Sequence, residues 1–204
     1  MGSRSKMSVR CRHCRMQIAR CICDLVPTLD IETRVVVVMH KREWAKTTAT
    51  AHLAALAIPS CEIRLRGRVG EPLAIEDLLA EDRQSLLLYP SENATPLCRA
   101  LVEADPRPVT LVVPDGSWRQ AAKAARREAV LSALPQVSLP AEAPSRYRLR
   151  REPKREGLAT FEAISRALGI IEGPEVRARL DAFFEAMVQR TLASRGAAGV
   201  RNGS

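Results

Sequence analysis

Short apolar runs alternate with longer segments of helical periodicity along most of this chain. Five apolar runs predict strands at residues 34–39, 62–65, 85–89, 109–113 and 136–139. The first contains four consecutive valines and the third contains three consecutive leucines, so both faces of each strand are apolar. Such strands are typical of the centre of a parallel sheet that helices cover on each side.

Helical patterns lie between these strands, at residues 46–56, 75–79, 96–104 and 117–129, and after the last strand, at residues 160–168 and 174–192. The last segment repeats apolar side chains with the 3.6-residue period of a helix, which gives a stripe for packing on a core. Its members are Val176, Leu180, Phe183, Phe184 and Met187. The alternation of strand and helix predicts an α/β domain over residues 31–195, built on an open, mostly parallel sheet flanked by helices.

Charge and composition narrow the classes of function. Of the 204 residues, 46% are hydrophobic and 27% are charged, as in a folded protein. The net charge of +9 favours a polyanionic partner, although a charge that serves solubility alone is the alternative. Because aromatic residues make up only 3%, a structured RNA held through its phosphates fits better than a long stacked single strand. The residues expected to contact RNA are Lys46, Arg119, Lys123, Arg126, Arg127, Arg146, Arg148, Arg150 and Arg151.

The termini of the chain and its hydropathy indicate the cellular compartment in which we expect the protein. Residues 1–7 and 196–204 are expected to be flexible tails. The sequence contains no apolar run of the roughly 18–20 residues that span a membrane, and its basic start lacks the apolar region of a signal peptide. We therefore expect a cytoplasmic protein without a membrane partner.

A cysteine cluster near the N-terminus has the spacing of a metal site. The segment CRHCRMQIARCIC carries Cys11, Cys14, Cys21 and Cys23. Two thiolates from one tight turn and two from a short return segment can complete a tetrahedral shell, which predicts a structural zinc in a small knuckle at residues 8–30. A redox dithiol, an iron–sulfur cluster, or a site in which His13 replaces one thiolate are the alternatives. Cys61 and Cys98 stand alone, and we expect both to be buried thiols.

Polar loops follow three of the predicted strands, and ligands of parallel sheets bind beyond the carboxyl ends of the strands. In PDGSW, Asp115 could accept a hydrogen bond from a cationic ligand or act as a general base, and Gly116 allows close backbone approach. Ser117 is a good helix N-cap, and Trp118 suits either the core or a ligand platform. The other two loops are YPSENATP and MHKREWAKT, and the second brings His40, Glu43 and Lys46. The residue types alone are compatible with two functions, an enzyme that acts on a small ligand and a binding module.

Six segments, taken together and in order, resemble the DTW-domain family. They are the N-terminal cysteines, HKREWAKTTAT at 40–50, YPSENA at 89–94, DGSW at 115–118, SRYRLR at 145–150 and LATFEAI at 158–164. Three positions depart from the usual pattern of the family. Ser117 replaces the commoner Thr and keeps the hydroxyl, whereas Ala159 and Ala49 stand where a Ser and an Asn are usual. These two changes weaken what the resemblance implies for their own segments.

The resemblance implies an enzyme that transfers the 3-amino-3-carboxypropyl group of S-adenosylmethionine to N3 of a uridine in tRNA and releases methylthioadenosine. It also implies a fold similar to the knotted SPOUT class, with a C-terminal trefoil knot. The implied catalytic candidates are Asp115, Glu92 and Glu162. The implied donor-binding residues are Leu88, Tyr89, Pro90, Ser91, Asp115, Gly116, Ser117, Trp118, Leu158 and Thr160. Arg146, Arg148 and Arg150 would meet either the donor carboxylate or RNA phosphates.

Two other functions remain open at this point. One is an S-adenosylmethionine-dependent RNA methyltransferase, and the other is a non-catalytic, zinc-containing RNA-binding protein. We expect a monomer, with a dimer as the alternative.

Overall fold

The computed structural model describes residues 10–46, 49–143, 145, 147 and 157–199, with side chains to residue 193. Six strands form one sheet, in the order β2-β1-β5-β3-β6-β4, and every pairing between them is parallel. The strands are β1 (Arg34–His40), β2 (Cys61–Arg66), β3 (Gln84–Leu88), β4 (Thr95–Pro96), β5 (Val109–Asp115) and β6 (Gln136–Ser138). The prediction of a mostly parallel α/β sheet is confirmed.

The valine run of β1 forms the middle of the core because it lies between β2 and β5 and faces both helical layers. Successive strand residues point to opposite faces. Accordingly Val35 and Val37 pack in the cluster on one face, while Val36 and Val38 pack in the cluster on the other. Each apolar residue of the run is therefore buried, which explains why the sequence is apolar without alternation.

Seven α-helices connect or flank the strands in the described part of the chain. They are α1 (Lys41–Trp44), α2 (Ala51–Ala57), α3 (Arg99–Glu103), α4 (Trp118–Arg127), α5 (Ala129–Ala133), α6 (Thr160–Ile171) and α7 (Pro174–Gly199). Short 3-10 helices occupy Ile18–Arg20, Cys23–Leu25 and Glu76–Leu79. None of the helices among these residues has the length and apolar character that crossing a bilayer requires.

Several helix boundaries differ from the predicted ones for local reasons. Residues 41–44 form α1 because the Nδ1 atom of His40 accepts the Arg42 N–H at 3.2 Å and caps a new helix there. The helix predicted at 96–104 begins only at Arg99, since Thr95–Pro96 pairs with β6 as a strand. The helix predicted at 117–129 ends at Arg127, and α5 follows as a separate helix. The segment predicted at 75–79 is a 3-10 helix.

Aromatic packing joins α6 to α7 under the sheet. The rings of Phe161 and Phe184 stack with centroids 5.3 Å apart, and Phe183 lies 6.1 Å from Phe161. The predicted apolar stripe of α7 is confirmed, because Leu180, Phe183, Phe184 and Met187 are buried. The expectation that Cys61 and Cys98 are buried is wrong: Cys98 is exposed at the start of α3 and Cys61 is half-buried at the start of β2.

Candidate active site and metal centre

A cavity of about 370 Å³ lies at the carboxyl edge of the sheet. The ends of β3, β5 and β6 form its floor, and the first turns of α4 and α6 form two of its sides. The residues that line it are Glu43, Ala49, Thr50, Leu88, Tyr89, Pro90, Val113, Pro114, Asp115, Gly116, Ser117, Trp118, Arg119, Ala121, Ser138, Leu139, Tyr147, Leu158, Ala159, Thr160 and Ala163. All predicted donor-binding residues except Ser91 are in this set.

Asp115 is the last residue of β5, and its side chain is buried in the cavity wall. The hydroxyl group of Thr160, the first residue of α6, donates a hydrogen bond to Asp115 Oδ1. This bond ties the end of the central strand to the start of α6 and fixes the direction of the carboxylate. A buried, oriented carboxylate next to a cavity suits a ligand that carries positive charge or a proton to be removed.

The turn from β5 into α4 is built by three residues. Gly116 has a backbone φ of +154°, which side chains other than hydrogen rarely allow. Ser117 is the N-cap of α4: its Oγ accepts the Gln120 N–H at 3.4 Å, and Gln120 Oε1 accepts the Ser117 N–H at 2.7 Å. The prediction of an N-cap at Ser117 is confirmed, and the complete capping box fixes the entry of α4 beside Asp115.

Glu43 is a second acid in the cavity wall, and it was not among the predicted catalytic residues. It lies on α1, it is 3% exposed, and the Nζ atom of Lys46 donates to its Oε1 at 2.6 Å. The sequence offered Glu43 only as one polar residue of the loop after β1, where a surface or capping role was equally open. Its burial depends on α1, whose formation was not predicted.

The remaining walls of the cavity are mostly apolar or consist of backbone. Trp118 and Tyr147 bring aromatic rings, and the Tyr147 ring also packs on Phe184 at 5.7 Å. Leu88, Leu139 and Leu158 bring aliphatic side chains from three different loops or strand ends. A mostly apolar site that also carries two acids can hold a flat, uncharged group and a cationic group together.

Two predicted catalytic candidates lie outside the cavity lining. Glu92 is exposed on the loop after β3. The preceding residue, Ser91, donates a hydrogen bond from Oγ to Gln136 Oε1 at 2.6 Å. Glu162 is buried, and its Oε2 accepts the Ala159 N–H at 3.1 Å and the hydroxyl hydrogen bond of Ser145. Glu162 therefore closes the first turn of α6 from the third helical position, which accounts for its burial.

Several of the predicted RNA contacts form an exposed basic face on α4. Arg119 lies at the cavity, and Lys123, Arg126 and Arg127 continue along the helix surface. Lys46 is exposed and pairs with Glu43, but it is not among the residues that line the cavity. The other four predicted contacts, Arg146, Arg148, Arg150 and Arg151, lie outside the described residues.

The four N-terminal cysteines meet in space, with all Sγ atoms within 4.8 Å of one another. The Sγ atoms of Cys11 and Cys23 are 3.7 Å apart, and those of Cys14 and Cys21 are 3.6 Å apart. Four thiolates at about 2.3 Å from a tetrahedral zinc would have edges of about 3.8 Å, so the sulfur positions fit such an ion. Backbone N–H groups of Cys14 and His13 lower the pKa of Cys11 to about 6, whereas burial raises the pKa of Cys14 and raises that of Cys23 to about 12. The cluster can hold a metal ion.

Parallel topology, a cavity at the carboxyl edge and a four-cysteine cluster define an α/β protein with a pocket for a ligand and a cluster that could hold a metal. Within that class the chain belongs to the DTW domain family, whose model matches residues 8–192.

Curated relatives carry one name in common. The chain is 28% identical over 167 residues to tRNA-uridine aminocarboxypropyltransferase 2 of Mus musculus, an alignment that covers 79% of this chain and 56% of the relative. It is 27% identical over 173 residues to the protein of the same name from Macaca fascicularis, covering 82% and 58%. The Drosophila melanogaster protein of that name is 30% identical over 178 residues, covering 84% and 70%. The chain thus spans little more than half the length of the two mammalian relatives, and no solved structure matches it significantly.

Proposed function

We propose that this chain is a tRNA-uridine aminocarboxypropyltransferase that uses S-adenosylmethionine as donor. The observation that carries the proposal is the acid-bearing cavity at the carboxyl edge of the sheet, in a chain of the DTW family whose curated relatives carry that name. The donor supplies the 3-amino-3-carboxypropyl group on a sulfonium, a leaving group that needs little activation.

The lining of the cavity supports this choice of donor. Its volume lies within the roughly 300–1,000 Å³ of small-molecule sites. Leu88, Leu139 and Leu158 offer an apolar wall for the adenosine part, with the backbone around Tyr89 and Pro90 beside it. The buried carboxylate of Asp115 suits a ligand that carries a sulfonium and an ammonium group, whereas the charge of Glu43 is paired with Lys46.

The reaction requires positioning more than activation. A bond forms between uridine N3 and the carbon next to the sulfonium, the carbon–sulfur bond breaks, the N3 proton departs and neutral methylthioadenosine leaves. The protein must present one of three sulfonium carbons to N3, and the Trp118 wall and the capped α4 turn restrict how a ligand can lie. Asp115, oriented by the Thr160 hydroxyl, acts either as the base that takes the N3 proton or as the acceptor of the donor ammonium group.

RNA approaches the cavity from the basic side of α4 in this proposal. Arg119 lies at the cavity and the exposed Lys123, Arg126 and Arg127 follow it, so their charges can contact phosphates around the target uridine. The exposed Lys46, paired with Glu43, is a further candidate for phosphate contact. The net charge of +9 supports the same partner, a tRNA.

The finer features of the fold belong to the proposal as well. We infer a structural zinc in the knuckle at residues 8–30, because four protein thiolates close the coordination shell. The catalytic domain at 31–195 has a SPOUT-like fold with a C-terminal trefoil knot, a proposal supported by the all-parallel sheet and by a cavity shared between the loops after β3, β5 and β6. The protein is a cytoplasmic monomer.

Labelled donor tests the reaction directly. The protein is incubated with unmodified tRNA transcript and S-adenosylmethionine that is labelled either in the methyl carbon or in the carboxypropyl carbons. The proposal predicts label in RNA only from the carboxypropyl carbons. Methyl label would instead identify a methyltransferase, and tRNA binding without either label would identify an RNA-binding protein.

Variants of Asp115 and Glu92 then test which of these two acidic residues the reaction requires. Asp115→Asn should reduce transfer by at least about 100-fold, in line with the loss of a positioned acid or base. Glu92→Gln, which changes an exposed acid outside the cavity lining, should retain the wild-type rate if Asp115 is the functional group. The opposite pattern would assign the functional carboxylate to Glu92 and exclude Asp115 from that role.

A further inference from the structure

Arg15 connects the metal knuckle to two helices that border the cavity. Its Nη1 atom donates to the carbonyl oxygen of Trp44 at 2.7 Å and to His52 Nε2 at 2.6 Å, and its guanidinium lies 4.4 Å from the centre of the Trp44 ring. Burial and the Arg15 charge lower the pKa of His52, which favours the neutral ring; because a guanidinium can only donate, this contact requires Nε2 to be the acceptor. One arginine therefore bridges the last residue of α1 and the first turn of α2.

Residues next to these two anchors line the cavity. Glu43 precedes Trp44 on α1, and its carboxylate is buried in the cavity wall. Thr50 lies just before α2, lines the same cavity, and accepts the Phe161 N–H at 3.2 Å. Because Arg15 contacts Trp44, next to Glu43, and His52, two residues after Thr50, its position influences where both cavity residues lie.

The metal cluster in turn determines the position of Arg15. The residue directly follows Cys14, and its N–H donates to the carbonyl oxygen of Cys11 at 3.0 Å within the knuckle turn. Its backbone φ of +60° is the one positive value for a residue other than glycine among the described residues. A metal that fixes Cys11 and Cys14 therefore fixes the strained turn from which the guanidinium extends.

A separate set of contacts attaches the knuckle to the rest of the protein. Arg190 of α7 donates to the carbonyl oxygen of Cys21 and, at 3.2 Å, to Asp24, while Arg20 donates to the Arg190 carbonyl at 3.0 Å. Ile22 is completely buried in the core. Loss of the Arg15 side chain should therefore leave the knuckle attached and remove only its contacts with Trp44 and His52.

We propose that Arg15 is a positioning residue that couples metal binding in the knuckle to donor binding in the cavity. The inference rests on the proposed function in one respect, namely that S-adenosylmethionine is the ligand of this cavity. Coupling of two binding equilibria is reciprocal, so donor must raise the affinity for zinc by the same factor by which zinc raises the affinity for donor.

The first test measures that reciprocity in the wild-type protein. Zinc-loaded protein is equilibrated with a chromogenic chelator, with and without S-adenosylmethionine, and the zinc affinity is obtained from the competition. We expect donor to strengthen zinc binding by about fivefold or more, the lower end of typical coupling between sites. A zinc that only holds the knuckle together would give the same affinity with and without donor.

The second test removes the connection with Arg15→Gly. Glycine suits a φ of +60°, so this variant deletes the guanidinium without adding strain to the knuckle turn. We expect zinc to remain bound, the calorimetric Kd for S-adenosylmethionine to rise about fivefold or more, and donor to lose its effect on zinc affinity. Arg12→Ala is the matched control, because it removes an exposed arginine from the same turn and should leave all three quantities at their wild-type values.

The outcomes separate this inference from the proposed function. Donor that binds normally but leaves zinc affinity unchanged, or an Arg15→Gly variant that binds donor like wild type, would overturn the coupling and leave the proposed function standing. A zinc-loaded wild type that binds no S-adenosylmethionine would overturn both. If Arg15→Gly loses its zinc, the competition experiment on the wild type still decides the question.

Discussion

Gly116 joins β5 to α4 in a position where a methyl group has no room. A Cβ atom there would lie 2.9 Å from Gln120 Cβ and 3.0 Å from Gln120 Oε1. The same Oε1 accepts the Ser117 N–H in the capping box of α4. Gly116→Ala should therefore strain the backbone, whose φ is +154°, and also push Gln120 out of the bond that starts the helix.

The size of the effect follows from these two contributions. A side chain in a backbone region reserved for glycine costs about 1–3 kcal/mol. Loss of a helix N-cap costs about 0.5–2 kcal/mol. Together they lower the free energy of unfolding by about 3 kcal/mol, which for a domain of this size corresponds to a fall in Tm of about 6–12 °C.

Thermal unfolding followed by circular dichroism measures this fall, and Gly70→Ala is the matched control. Gly70 also has a positive φ, +76°, but a Cβ atom there would meet nothing within 4 Å. The control should lose only the backbone contribution, about 1–2 kcal/mol. Equal falls in Tm for the two variants would refute the role assigned to Gln120. Because Gly116 lines the cavity, the variant should also weaken donor binding, which the control should not.

Three further predictions concern other parts of the molecule. Arg64 holds the pKa of Asp77 well below its usual range. This ion pair therefore stabilises the protein above about pH 4, and its contribution is lost as the pH falls further. Asp77→Asn should accordingly flatten the decline in unfolding free energy below pH 4. Glu162→Ala should lower stability by about 1 kcal/mol in chemical unfolding, because it removes the acceptor at the start of α6. The double variant Lys123→Ala/Arg127→Ala should weaken tRNA binding and reduce the slope of log K against log salt by roughly 1–2 in a filter-binding titration.

Each of these has a result that would contradict it. An acid-unfolding profile of Asp77→Asn that superimposes on the wild type would show that the exposed ion pair contributes nothing measurable, as many surface pairs do. A Glu162→Ala variant with wild-type stability but no transfer activity would move Glu162 from helix capping to catalysis. Arg68→Ala is the control for the α4 variant, because Arg68 is exposed, paired with Glu71 and not among the cavity-lining residues. It should leave the slope of log K against log salt unchanged. A decrease in this slope equal to that of the α4 variant would mean that RNA binding depends on net charge alone.

The central sheet could be predicted because its sequence leaves little choice. Four consecutive valines in β1 can all be buried only if both faces of the strand are covered, and helices cover both. Asp115 and Trp118 could be placed at the site because they follow directly on an apolar strand whose carboxyl end had to face the ligand edge.

The cavity wall around Glu43 could not be predicted in the same way. It depends on α1, a four-residue helix that forms because the His40 ring caps it, and on the contact of Trp44 with Arg15 from a distant segment. The capping contacts of Glu162 could not be predicted from the sequence either. Its position three residues into α6 is that of a capping acid, but Ala159 at the N-cap lacks the hydroxyl that usually signals the motif.

The leaving group of the donor tests the proposed function most directly. Breaking the bond to the carboxypropyl carbon releases methylthioadenosine, whereas methyl transfer releases S-adenosylhomocysteine. Chromatography of a reaction that contains the protein, S-adenosylmethionine and unmodified tRNA should show methylthioadenosine in amounts equal to the modified uridine, and none above background with Asp115→Asn. Formation of S-adenosylhomocysteine instead, or of methylthioadenosine at the same rate without RNA, would contradict it.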